Sequence, residues 1–356
     1  MRASSSSAGR SITIPGHNNF DLLRFCFATV VFLVHAYVLS GNGQLSWLGD
    51  VLSSEVAVRS FFIVSGFLIF MSYENSRGLR NYFEKRARRI YPAYFTIVVL
   101  CALLGSLLSM HVPYDYFSAS GLYQYLAVNL VFLNFAHPNL PGVFADNTLQ
   151  AVNGALWTLK IEVLFYLSVP LLAWLFQRIG RWQGLALVYA ASFAYICVMG
   201  ELAQRGGGIY LELQRQLPGQ MVYFMAGTAL FYYYAQFATH WKPMLVLALG
   251  IMLLTKMWGI GIGLAEPVAL AVLVVYTACV FPYLGNFGKF GDFSYGVYIV
   301  HFPILQALIA SGIFRNNPWG GLLLALGLVM LGAFLMWHLV EKRFLRKSSH
   351  YVAVNC

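Results

Sequence analysis

Charge is the scarcest property of this chain: 10% of its 356 residues are Asp, Glu, Lys or Arg, whereas 59% are hydrophobic and the mean hydropathy is +0.67. Soluble domains carry about 25% charged residues, so a water-soluble enzyme is excluded and an integral membrane protein is expected. Paired cysteines are missing too. Of the five, Cys26, Cys101, Cys197 and Cys279 fall in apolar stretches and Cys356 is the last residue, with no C-x-x-C pair and no metal-ligand spacing. No glycine-rich phosphate loop, G-x-S-x-G elbow, histidine cluster suited to zinc or internal repeat occurs. Metal chemistry is therefore not expected. Long polar stretches are also lacking, which makes a single helical bundle the simplest architecture.

What the chain has in quantity is apolar length. About 20 apolar residues cross a bilayer, and eleven stretches approach that length, near 20–40, 56–74, 91–110, 121–136, 155–176, 182–199, 217–236, 242–258, 263–282, 293–313 and 319–340. The net charge of +10 comes from short basic runs between them, which follows the positive-inside rule rather than marking a nucleic-acid surface. Charge also decides the number of crossings. Stretch 121–136 is short and contains Gln124, Asn129 and Asn134. If it crossed, Arg178, Arg181, Lys242, Lys289 and the closing Lys342, Arg343, Arg346 and Lys347 would all be exported. The expectation is an all-α polytopic transmembrane bundle of ten spanning helices, with 121–136 a re-entrant or surface element on the outer side. Residues 1–19 are then a cytoplasmic leader, 20–340 the transmembrane domain and 341–356 a cytoplasmic tail.

Ionisable residues inside such stretches are costly and default to function. Arg24 and His35 share the first stretch, and their separation returns them to nearly one helical face, about 16 Å apart along the axis. They read as a polar stripe through the bundle, or as an interfacial arginine and a packed histidine. Glu162 comes out roughly 10 Å below the outer surface and His35 roughly 7 Å below it, so the two can meet. A neutral Glu162, or one paired with Lys160, is the alternative. Trp157 points about 140° away from Glu162 and reads as an interfacial anchor or cleft wall. Ser294, Tyr298 and His301 follow at i, i+4 and i+7 on one stripe. Ser65 and Gly66 let a helix or a ligand approach closely. Arg86 and Arg89, at i and i+3, present two guanidinium forks on one face or only mark the cytoplasmic side. Pro92 is expected in the first turn of the next helix.

Together these motifs resemble the membrane-bound acyltransferase-3 family, mostly bacterial enzymes that O-acylate sugars and related acceptors at the cell envelope. Arg24 with His35 is similar to its first-helix motif, FFIVSGFLIF to its Ser-Gly-Phe element, and Arg86-Ala-Arg-Arg89 to its Arg-x-x-Arg loop. NGALWTLKIE is similar to its Trp-to-Glu stretch and SYGVYIVH to its late Tyr and His helix. One departure is Val163, where many relatives carry a second acidic residue after the glutamate.

The resemblance implies an O-acyltransferase, most simply an O-acetyltransferase, of the bacterial inner (cytoplasmic) membrane. Its donor would be acetyl-CoA or another acyl-CoA, its acceptor a hydroxyl of a glycan or glycolipid, and its surroundings membrane lipid, with no metal and no nucleic acid. Arg86 and Arg89, with Arg24, Ser65 and Gly66, would bind the donor, and Trp157, Tyr298 and His301 the acceptor. His35, with an unperturbed pKa near 6.5, is suited to take the proton of the attacking hydroxyl, with Glu162 orienting its ring. A secondary transporter using the same His, Glu and Arg as a proton relay is the rival reading.

Overall fold

The computed structural model describes residues 16–258 and 263–346. Among them there is no β-strand, and eight helices are long and apolar enough to cross a membrane. The protein is an all-α polytopic bundle embedded in the membrane. Its main helices are α1 (Phe20–Ser40), α2 (Ser54–Glu74), α3 (Leu79–Leu104), α4 (Ser120–Asn129), α5 (Trp157–Ile179), α6 (Arg181–Gly206), α7 (Leu217–Tyr232), α8 (Tyr234–Trp258), α9 (Glu266–Cys279), α10 (Phe293–Ala310) and α11 (Pro318–Met336). Most of the expected leader and tail, residues 1–15 and 347–356, lie outside the described residues.

The count of ten spans is not reached on length, because α7 has 16 residues and α9 has 14. Both are packed inside the bundle: α7 lies against α2 and α6, and α9 against α8, α7 and α2. Stretch 121–136 holds only the ten-residue α4 followed by turns. Hydrogen bonds around Asn129 anchor the end of this helix to the protein. The Tyr94 hydroxyl donates to the Asn129 carbonyl at 2.7 Å, and the Asn129 amide donates to the Tyr125 and His137 carbonyls at 2.9 Å each.

The basic run differs from expectation. Instead of a loop closed by a proline at a helix start, Leu79–Leu104 is one helix with Pro92 inside it. A proline there forfeits one backbone hydrogen bond, yet the helix runs on through it, and the Tyr295 hydroxyl of α10 donates to the nearby Ile90 carbonyl at 3.0 Å. Arg86 and Arg89 are therefore carried by a regular helix.

Two crossings fix the frame of the site. A Cβ on Gly66 would lie 2.0 Å from the Phe224 carbonyl oxygen, and one on Gly227 would lie 2.0 Å from that of Ile63, so α2 and α7 touch backbone to backbone. Thr228 Oγ1 adds hydrogen bonds to the Phe224 carbonyl at 2.9 Å and the Gly66 carbonyl at 3.2 Å. Small residues at such contacts are how helices bind one another in lipid. The second crossing is α1 beside α10, which run parallel: Arg24 meets Asp292 at one end and His35 meets His301 at the other.

Candidate active site

A narrow cleft of ≈ 150 Å³ lies between α2, α3, α5 and α10, with Arg24 reaching in from α1. Arg24, Arg86 and Arg89 line one end, and Val58, Phe61, Thr158 and Tyr298 the other, with Ser65, Leu68 and Glu162 between. Along α2 the lining runs from Val58 to Ile69, about 16 Å of helix. The cleft is thus cationic at one end and closed by hydroxyl and aromatic groups at the other.

At the arginine end the organising residue is Asp292, which is 3% exposed and caps α10 by accepting from the Ser294 N–H at 3.1 Å. Its Oδ2 takes Arg24 Nη2 at 2.9 Å and a further ion pair from Arg89. Burial pushes the Asp292 carboxyl up, but the guanidiniums of Arg24 and Arg89 outweigh it and hold the group below the usual carboxylate value. Arg24 also pairs with Asp21 at 2.5 Å, and a Glu341 oxygen lies 3.9 Å from Arg89. Arg86 is held differently. Its Nη2 donates to Ser72 Oγ at 3.0 Å, its guanidinium lies 5.7 Å from the centre of the Tyr166 ring, and its buried Nε has no hydrogen-bond partner.

Near the other end, His35 Nδ1 lies 2.9 Å from His301 Nε2, and His301 Nδ1 lies 3.2 Å from the Val297 carbonyl oxygen. The carbonyl can only accept, so for neutral rings the protons are assigned in sequence. His301 carries hydrogen on Nδ1, its Nε2 accepts from His35 Nδ1, and the free lone pair falls on His35 Nε2. His301 is wholly buried, while His35 is half-buried. Tyr298, one turn before His301, stands with its ring centre 5.8 Å from that imidazole and its hydroxyl 2.7 Å from Thr158 Oγ1. The start of α5 is tied to the same place by the Asn153 amide, which donates to the Ile299 carbonyl at 2.8 Å.

The expected residues are therefore brought together in two groups. Arg24, Ser65, Arg86, Arg89, Glu162 and Tyr298 line the cleft, and His35 and His301 form a pair beside it. Glu162 accepts from Ser65 Oγ, which lies 2.9 Å from both carboxylate oxygens, and the ring of His35 is held by His301 instead. Lys160 donates to Gln216 at 2.5 Å rather than to Glu162. Gly66 does not line the cleft, since its missing side chain is what admits α7. Trp157 is half-buried outside the lining, and its neighbour Thr158 takes the place facing the cleft. Asp292, Ser72 and Thr158 were not singled out from sequence. An aspartate directly before an apolar helix, with Ser294 two residues on, is the signal that marks Asp292 as a cap.

Comparison with known proteins covers nearly the whole chain. The profile of the acyltransferase-3 family, described as an acyltransferase domain, matches residues 17–338. Nodulation protein 10 of Rhizobium leguminosarum bv. viciae is 28% identical over 360 residues, spanning 95% of this chain and 96% of that one. The O-acetyl transferase of Shigella phage Sf6 is 28% identical over 343 residues, spanning 95% and 99%. No solved structure matches the chain significantly. The chain belongs to the acyltransferase-3 family and is a membrane-embedded acyltransferase.

Proposed function

We propose that this protein is an O-acetyltransferase of the bacterial inner membrane, with both termini cytoplasmic, that moves an acetyl group from acetyl-CoA to a hydroxyl of an envelope glycan or glycolipid. The observation that carries the reading is the two-ended cleft, with three guanidiniums at one end and the histidine pair beside the other, about 16 Å away along α2. The donor's phosphates belong at the arginine end, where Arg86 keeps an unsatisfied buried N–H. Its slender acyl-bearing arm would run along the stretch between, past Ser65, Leu68 and Glu162. The name of the phage relative, O-acetyl transferase, supports oxygen as the acceptor atom and acetyl as the group.

In this reading the acceptor hydroxyl gives its proton to His35 Nε2 as its oxygen bonds to the acyl carbon. The C–S bond then breaks with its electron pair going to sulfur, and the thiolate takes the proton from His35. His301 holds the base in the required tautomer, the role a carboxylate has in a triad. Glu162 belongs to the donor cleft.

The test is incubation of the purified protein, reconstituted in lipid, with acetyl-labelled acetyl-CoA and glycan acceptors. Release of free thiol matched by label in an alkali-labile ester is expected. Failure to bind or consume any acyl-CoA would overturn the reading.

A further inference from the structure

Attack on a thioester places negative charge on the acyl oxygen, and the proposed mechanism has so far named no group to receive it. The arginines stand at the far end of the cleft, and His35 is occupied with the proton. Two hydroxyls remain at the near end, on Thr158 and Tyr298.

Their hydrogen bonds separate them. Thr158 Oγ1 lies 3.2 Å from the Ala155 carbonyl, which can only accept, so the threonine hydrogen has an acceptor on its own helix. Either hydroxyl can donate in the 2.7 Å contact between Thr158 and Tyr298; with the threonine hydrogen on the Ala155 carbonyl, the tyrosine is the donor. Its hydrogen is directed across the end of the cleft, from α10 to the first turn of α5. The ring is fixed on two sides, 5.7 Å from Phe61 and 5.8 Å from His301, both edge-on.

We infer that Tyr298 is a catalytic residue whose phenol donates a hydrogen bond to the thioester carbonyl oxygen as charge builds on it. This rests on the acyl-CoA reading above. The phenol keeps its proton throughout; it only exchanges a neutral acceptor, Thr158 Oγ1, for one that is becoming an anion. Hydrogen bonds to ionised acceptors are about twice as strong as neutral ones, so the exchange is more favourable in the transition state than in the ground state. Only such a difference accelerates the chemical step.

The test compares Tyr298→Phe and Thr158→Val with the parent in lipid, measuring acetyl-CoA turnover and CoA binding on the same preparations. Loss of one oxyanion donor costs about 10²- to 10³-fold in kcat, and that is the expected loss for Tyr298→Phe, with CoA binding within about threefold of the parent. Thr158→Val, which removes the resting partner but keeps the phenol, is expected to lose at least tenfold less. Near-parental turnover of Tyr298→Phe overturns the inference, as do equal losses in the two variants, the signature of a merely structural bridge.

A binding measurement covers the case in which Tyr298→Phe is poorly folded for turnover. A ketone analogue of acetyl-CoA that keeps the carbonyl should bind the parent better than an alkyl thioether analogue that lacks it, and the folded fraction of Tyr298→Phe should lose that preference. A retained preference overturns the inference. A parent that consumes no acyl-CoA overturns the functional reading and this inference together, whereas an active parent with an active Tyr298→Phe overturns this inference alone.

Discussion

His35 and His301 share one hydrogen bond, 2.9 Å long, between Nδ1 of the first and Nε2 of the second. The Val297 carbonyl sets its direction and leaves His35 Nε2 as the basic atom. Replacing His301 therefore has an outcome that depends on what can accept a hydrogen bond. His301→Gln retains an acceptor and should keep a measurable part of the turnover. His301→Phe fills the space but strands a donor, which costs about 1–3 kcal/mol, and should lose most of it. Equal turnover for the two would mean that the pair does not orient the base.

His35 itself should separate chemistry from binding. General bases contribute about 10²- to 10⁴-fold, so His35→Ala should lose transfer by that order while holding CoA like the parent, because the proposed phosphate site lies toward Arg24 and Arg86. Single-turnover kinetics with calorimetry on folded protein gives both numbers. Turnover near the parental value removes His35 from the mechanism.

Glu162 makes its hydrogen bonds with Ser65 in the cleft, so its effect should appear in donor affinity. Glu162→Gln removes a carboxylate from the pocket proposed to hold the polyanionic donor. Affinity for CoA should rise several-fold at low salt, and the gain should shrink as ionic strength increases. Unchanged affinity with a slowed chemical step would instead return Glu162 to the reaction centre.

Asp292 combines a cap with a counter-charge, and Asn separates the two. Asp292→Asn keeps the cap to Ser294 but leaves Arg24 and Arg89 without the charge they share, and breaking a buried pair costs about 3–5 kcal/mol. Asp292→Ala should lose about 1 kcal/mol more, the value of the cap. Because the folded pKa is depressed, the parent's advantage is present above the unfolded value of about 3.9 and is lost as pH falls through the folded value. Thermal unfolding curves of parent and Asp292→Asn should therefore converge as the medium is acidified below about pH 4, and a constant gap would show that the charge is not responsible.

Gly66→Ala is the packing control. Its methyl group would meet the Phe224 carbonyl at 2.0 Å, and overpacking of this kind costs about 1–3 kcal/mol. Unfolding temperature should drop, with binding and turnover falling together in proportion to folded protein. A selective loss of CoA binding at full stability would give Gly66 back to the donor site.

The sequence made the bundle legible because lipid punishes charge, so apolar length and basic loops mark the helices almost without tertiary information. Arg24, Arg86, Arg89 and Glu162 were legible for the same reason. Three things were not. Helical phase places His35 on a face but does not say which neighbouring helix meets that face, so the sequence pointed to Glu162 as the partner of a ring that His301 holds. Pro92 reads locally as a helix start, and only the structure shows the helix continuing through it. Ser65 and Gly66 are adjacent yet point to opposite tasks, one into the cleft and one against α7, which no composition reveals.

The backbone contact between α2 and α7 has a mechanical consequence. With Gly66 and Gly227 each seated against the opposing chain, α2 can neither roll nor slide without collision, so it serves as the stator of the molecule. Traffic through the cleft must be accommodated on the other side, where α5 and α10 are latched across the far end by the hydroxyls of Thr158 and Tyr298. Under the proposed function, opening there would let an acceptor reach the histidine pair from the end opposite the arginines, and the two substrates would then enter by separate doorways.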